Sequence, residues 1–460
     1  MSDAHPPERP QEVADFLQQH PETRAVDAIF ADLSGVVRGK RYPIDDLDKI
    51  FTQGLAFPGS AFLLDVVGES HDPAGLGFSD GDPDVPAFAI PGTLAPVPWA
   101  PKPLAQVLLG FRNEDGSPYP YEPRNVLARV ADEIAGLDLR PVVAFELEFY
   151  LIDPERAAGA APQPPISPLT GTRDTGTQVY GMADVDAFDA VLEEITRACA
   201  AQGVPTGAIS AEYAPGQFEI NLGHVADPLM AADHCVLFQR VVKGVAKRHG
   251  LQATFMAKPY PAQAGSGMHM HLSMLDRHGN NAFDGGADSP ASATLRHAIA
   301  GILDGLPDAM AMLAPNPNSY RRFQPDIFVP IRRSWGFENR SVGLRIPHGP
   351  GPARRIEHRV AGADANPYLA LATVLAGAHH GITNQLDPGA PDTGNAGHAF
   401  DDALPWRPRR AFEALEHATV LRRYLGDAYV DAYAACKQAE MDKFESEPSP
   451  LEYRWYLQPD

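Results

Sequence analysis

Cysteine is scarce. Only three occur in 460 residues, Cys199, Cys235 and Cys436, far apart and without CxxC spacing. That excludes a disulfide framework and a thiolate zinc site, and it fits a reducing cytoplasm. Positive charge is also short: 38 Lys and Arg stand against 59 Asp and Glu, for a net charge of −21. Such a balance argues against nucleic acid or an anionic membrane as partner and favours a cationic substrate. No apolar run approaches membrane-spanning length. The first residues, MSDAHPPERPQE, lack the apolar stretch of a signal peptide. There is no GxxxxGK[ST] phosphate loop, so any nucleotide must be held by other means. Internal repeats and low-complexity tracts are lacking too.

What remains is a globular composition, 44% hydrophobic and 21% charged, in a chain long enough for two domains. Residues 1–22 read as a loose arm or short helix. Val26–Lys40 alternates apolar and polar residues around Leu33-Ser34-Gly35, which predicts a hairpin. Short strands follow to about Val97, and the Pro-rich stretch Pro91–Pro103 is the best boundary candidate. Helices are predicted over Glu122–Gly136, Asp184–Gln202, Asp227–His249, Ser292–Asp304 and Asn366–His380. Asp153–Tyr180 is Pro- and Gly-rich without periodicity, either a lid or a disordered loop. The class is α+β, with an antiparallel-leaning sheet in the larger part.

Four predicted strands share one design. In Val142–Ile152, Phe145, Leu147, Phe149 and Leu151 point one way, and Glu146 and Glu148 the other. These two carboxylates stand about 7 Å apart by strand rise. Alone, such a pair is a solvated face. In Gly216–Leu222, Gln217, Glu219 and Asn221 share a face, with Glu212 just upstream. In Gly267–Met274, His269, His271 and Ser273 alternate with apolar residues. In Arg354–Val360, Arg355, Glu357 and Arg359 do the same, a pattern that by itself also suits a cross-strand ion-pair ladder. Together the carboxylates and imidazole form an oxygen-rich donor set suited to Mg²⁺ or Mn²⁺. Arginines in NSYRR and NRSVGLRIP add the positive charge that phosphoryl transfer requires.

The motifs FELEF, EYAPGQFEIN, GSGMHMHLS, NSYRRFQP, NRSVGLRIP and RRIEHRVAGADANPYLA, in this order, resemble the glutamine synthetase family from about residue 25 onward. That resemblance implies an N-terminal β-grasp domain over 23–115 and a catalytic domain over 120–460 with a curved, mainly antiparallel sheet. It implies Glu148, Glu212 and Glu219 as ligands of one divalent metal, and Glu146, His269 and Glu357 as ligands of a second. His271, Ser273, Arg345 and Arg355 match nucleotide-site positions. Arg340 matches an arginine serving the transferred phosphoryl group, and Arg322 and Arg359 match those holding glutamate. The implied cofactors are ATP with Mg²⁺ or Mn²⁺. The implied assembly is a dodecamer of two stacked hexamers in the cytoplasm.

The ammonia-using members differ at four positions. Here Ala264 replaces an Asn that touches glutamate, Pro58 in FPGS replaces an Asp, and Phe328 in PDIFVP replaces a Glu. Phe400 in AFDDALP stands where some bacterial members carry a regulatory Tyr, so no adenylylation is expected. The chain resembles instead the γ-glutamylpolyamine synthetase branch, which implies a glutamate–putrescine ligase acting through a γ-glutamyl phosphate. Pro58, Phe328 and Trp335 are then the expected amine pocket. The alternatives are glutamine synthetase proper, an ethanolamine or aromatic-amine ligase, and a non-catalytic relative. The last is disfavoured because every metal ligand and arginine of the pattern is present.

Overall fold

The computed structural model describes residues 9–157, 159–173, 176, 178–286 and 291–457. Six strands come first: β1 (Ala25–Ala31), β2 (Val37–Pro43), β3 (Leu55–Pro58), β4 (Asp84–Ala89), β5 (Ala95–Pro96) and β6 (Ala105–Phe111). They form one sheet of order β2-β1-β6-β4-β3, with β5 on β6. β1 and β6 run parallel and the other pairs antiparallel. The β1–β2 hairpin turns where the sequence places it. Asp32 Oδ1 accepts from the amides of Ser34 and Val36, and Gly35 takes the left-handed φ of +76° that the turn needs. Beneath the sheet Phe30, Phe57, Phe62 and Phe111 interlock, with ring centroids as close as 4.6 Å.

Eight more strands follow: β7 (Arg140–Ile152), β8 (Thr206–Ala211), β9 (Gln217–Leu222), β10 (Gln252–Thr254), β11 (Met268–Leu275), β12 (Trp335–Phe337), β13 (Leu344–Ile346) and β14 (Ile356–His358). Their order is β12-β13-β14-β11-β7-β9-β8, with β10 on β7. Among the described residues of this sheet only the β12–β13 pair is parallel. β7 is the organising strand, hydrogen-bonded to β9, β10 and β11. Its Phe145, Leu147, Phe149 and Leu151 are buried. Each such side chain contributes roughly 2 kcal/mol by burial. They belong to a continuous apolar core shared with the helices Pro123–Ala135, Pro228–Arg248 and Pro367–Asn384. The two sheets are tied through Asn366. Its side chain caps the last of these helices and donates to the Asp32 carbonyl in the first hairpin at 2.7 Å.

The five predicted helices fall where periodicity puts them, with one exception, while the helices Leu47–Thr52, Leu306–Leu313, Pro408–Glu416, Val420–Leu425, Asp427–Ser446 and Pro450–Tyr456 lie outside that reading. The helix expected over Asp184–Gln202 is two, Met182–Ala187 and Asp189–Ala201. Phe188 at the break has φ −116° and is buried against Phe218, so its packing overrides helical continuity. The predicted strand Arg354–Val360 narrows to Ile356–His358. Between Asp153 and Tyr180 the described residues hold turns and a single bridge, Ile166 to Arg173; residues 158, 174, 175 and 177 lie outside the described set. Among the described residues no helix is long and apolar enough to cross a membrane.

Candidate active site

Strand register assembles the polar face. β7–β11 pairing sets His269 opposite Glu146, β7–β9 pairing sets Glu219 opposite Glu148, and β11–β14 pairing sets Glu357 opposite His271. Directly opposed side chains lie about 5 Å apart at Cβ, so functional groups far apart in sequence meet. Glu146, Glu219 and His269 have ligand atoms within 4.8 Å of one another. His269 Nδ1 lies 3.4 Å from Glu146, and His271 Nε2 lies 2.8 Å from its other oxygen. Glu212 follows β8 and is held by its amide on the Gln217 carbonyl and by the Ser210 hydroxyl, which donates to it. Glu148 accepts from the Gly267 amide at 2.8 Å.

The carboxylates crowd one another in a poorly solvated place. Burial, then the neighbouring Glu146, Glu148 and Glu212, push Glu219 well above the usual carboxylate range. Burial and Glu148 raise Glu212 to about 7. Burial also opposes the charge on Glu146, but His269 and His271 outweigh it and hold that group low. Burial opposes the charge on Glu357, but the side chains around it, Arg359 foremost, outweigh it and lower the group to about 2. Excess negative charge with oxygen and imidazole donors and no thiol fits a hard divalent cation.

The cluster opens into a cavity of about 610 Å³. Arg322, Arg340 and Arg359 line it together with Glu146, Glu148, Glu212, Glu219 and His269. Arg322 is 2% exposed, yet among the described residues its guanidinium has one protein acceptor, the Val360 carbonyl at 3.2 Å, and its Nε has none. Glycine makes its room: a Cβ on Gly265 would stand 2.6 Å from Arg322 Cγ. This is a physical reason for the glycines of AGSGMH. Arg359 pairs with Glu357 and donates to the Phe328 carbonyl at 3.4 Å. Arg345 takes the other Glu357 oxygen at 2.7 Å. Arg355 Nε donates to His271 Nδ1 at 3.0 Å, so the His271 proton sits on Nε2, facing Glu146. His271, Ser273, Arg345 and Arg355 therefore lie on or beside β11, β13 and β14 next to the cluster, outside the cavity lining.

The expected amine pocket is rearranged. Phe328 is 56% exposed and lines the cavity. Trp335 does not: it is 2% exposed on β12, packed on Phe337 and the Arg296 guanidinium, and offers no surface to a ligand. Pro58 ends β3 opposite Asp84 in the first sheet and does not line this chain's cavity. Residues that sequence reasoning missed are Tyr180, Tyr213, Lys258 and Asp326, all in the lining. Tyr213 had one available signal, its place directly after Glu212.

A family model described as glutamine synthetase, catalytic domain, matches residues 120–456. Gamma-glutamylputrescine synthetase PuuA of Escherichia coli K12 is 43% identical over 449 residues, covering 97% of this chain and 94% of its own length. Glutamate–isopropylamine ligase of a Pseudomonas species is 32% identical, with 97% of each chain covered. The solved structure of a GmaS/ADP complex superposes with a TM-score of 0.84 at 30% identity, covering 97% of this chain and 100% of that one.

Proposed function

The chain belongs to the glutamine synthetase family, and from that premise we propose that it is an ATP-dependent ligase joining the γ-carboxylate of glutamate to putrescine or a similar alkylamine. The observation that carries this reading is a single cavity in which a carboxylate–histidine cluster, three arginines and an apolar mouth meet. A carboxylate is a poor acyl donor. Its oxygen therefore attacks the γ-phosphorus of ATP, the bond to the bridging oxygen breaks, and ADP leaves. The amine nitrogen then attacks the acyl carbon of the γ-glutamyl phosphate. A C–N bond forms, phosphate departs, and the nitrogen loses a proton.

In this reading Glu148, Glu212 and Glu219 hold one divalent ion, and Glu146, His269 and Glu357 a second, either Mg²⁺ or Mn²⁺. Bound there, such ions supply neutralising charge to phosphate oxygens. Glu357 can serve while paired with Arg345 and Arg359, because each carboxylate oxygen keeps a further lone pair. His271, Ser273, Arg345 and Arg355 serve the nucleotide, Arg340 the transferred phosphoryl group, and Arg322 and Arg359 the glutamate carboxylates. The division into 23–115 and 120–460, the cytoplasmic location and the dodecamer of stacked hexamers belong to the same proposal. Supporting assembly, the terminal helix Pro450–Tyr456 exposes Tyr453, Trp455 and Tyr456 to solvent.

Purified protein given ATP, glutamate and putrescine should yield ADP, phosphate and γ-glutamylputrescine in equal amounts. Phosphate without amide, or no turnover at all, would refute the assignment. Arg322→Ala should raise the KM for glutamate by roughly tenfold to a hundredfold, the worth of one buried charge-assisted contact. The KM for ATP should move far less. Equal changes in both would deny Arg322 its glutamate role.

A further inference from the structure

The cavity floor is charged, but its mouth is not. Tyr180, Tyr213, Ile327 and Phe328 all line the cavity and are each between 38% and 59% exposed. Exposed apolar side chains gathered at one concave site mark a binding surface. Tyr213 is the one whose exposure a loose loop does not explain. Its neighbours Glu212 and Ala214 are 8% and 1% exposed. The turn carrying it is closed by the Glu212 amide on the Gln217 carbonyl at 2.9 Å and the Gln217 amide on the Ala214 carbonyl at 3.0 Å. A rigid turn thus holds an aromatic ring half in solvent, directly beside a buried carboxylate.

Across the mouth stands Phe328. The two ring centroids are 6.3 Å apart and tilted by 40°, within the range of a favourable aromatic pair. The rings form one continuous apolar face. Phe328 is fixed in turn, since its carbonyl accepts from Arg359. We propose that Tyr213 is a specificity-determining residue for the acceptor: its ring, continuous with that of Phe328, packs against the methylene stem of the incoming alkylamine. This rests on the ligase reading above and adds the residue that sets preferred stem length. The ring face does the work, so the hydroxyl is dispensable.

The test is a series of unbranched monoamines, methylamine to butylamine, with phosphate release as readout. In the wild type, kcat/KM should rise by up to about fourfold per added methylene, the worth of one buried CH₂. Tyr213→Ala should flatten that slope to under about twofold per methylene. The loss should fall on the amine KM, with kcat shifted little and the glutamate KM unmoved. Tyr213→Phe should keep the wild-type slope, and Phe328→Ala should flatten it as Tyr213→Ala does. A wild type that uses alkylamines while Tyr213→Ala keeps the full slope would overturn the role of Tyr213 alone. A flattened slope in Tyr213→Phe would overturn the ring-face account. A wild type that releases phosphate only with ammonia would overturn the ligase reading, and this role with it.

Discussion

Glu219→Ala is expected to lower ligase turnover by roughly a thousandfold or more, on the scale of the several kcal/mol that a divalent ion contributes to a phosphoryl-transfer transition state. The protein itself should stay folded. Glu219 is half-buried among Glu146, Glu148, Glu212 and Glu357, all of which raise its proton affinity. Removing one member of a crowded like-charge set relieves repulsion rather than breaking a support. The metal-free variant should therefore melt no lower than the metal-free parent. The stabilisation on adding Mg²⁺ or Mn²⁺, about 3 kcal/mol at a hundredfold excess over Kd in the parent and read as a rise in melting temperature, should shrink. Near-normal turnover in Glu219→Ala with Mg²⁺ would show that the cluster is structural. A variant that fails to fold would show that the carboxylate is part of the scaffold.

Much of this site was legible because strand geometry is regular. Once Val142–Ile152 is a strand, alternation alone separates Glu146 and Glu148 from the core side chains beside them. The partner strands repeat the pattern, and register does the rest. The sequence left Arg355, Glu357 and Arg359 between an ion-pair ladder and a site. In the fold the two coincide, since Glu357 pairs with Arg345 and Arg359 while facing His271 across β11–β14. The misses have local causes. Whether Trp335 points in or out cannot be read from a three-residue strand, and its ring went to the core. The break at Phe188 is set by a contact with Phe218, thirty positions away, which helical periodicity does not carry. Tyr213 is one aromatic in a turn, with no period to reveal it.

Acceptor choice is the second large effect. An ammonium site needs negative groups to gather the cation and take its proton. Phe328 offers none; it is 56% exposed in the cavity and presents a hydrocarbon face. A four-carbon stem against that face gains about 0.8 kcal/mol per methylene, or about 3 kcal/mol in all. That corresponds to roughly two orders of magnitude in kcat/KM over ammonia. The measurement is phosphate release at fixed ATP and glutamate, with putrescine and ammonium chloride each titrated to saturation. Putrescine should be favoured by roughly a hundredfold in kcat/KM; equal or faster use of ammonium would contradict this acceptor preference and make this chain a glutamine synthetase proper.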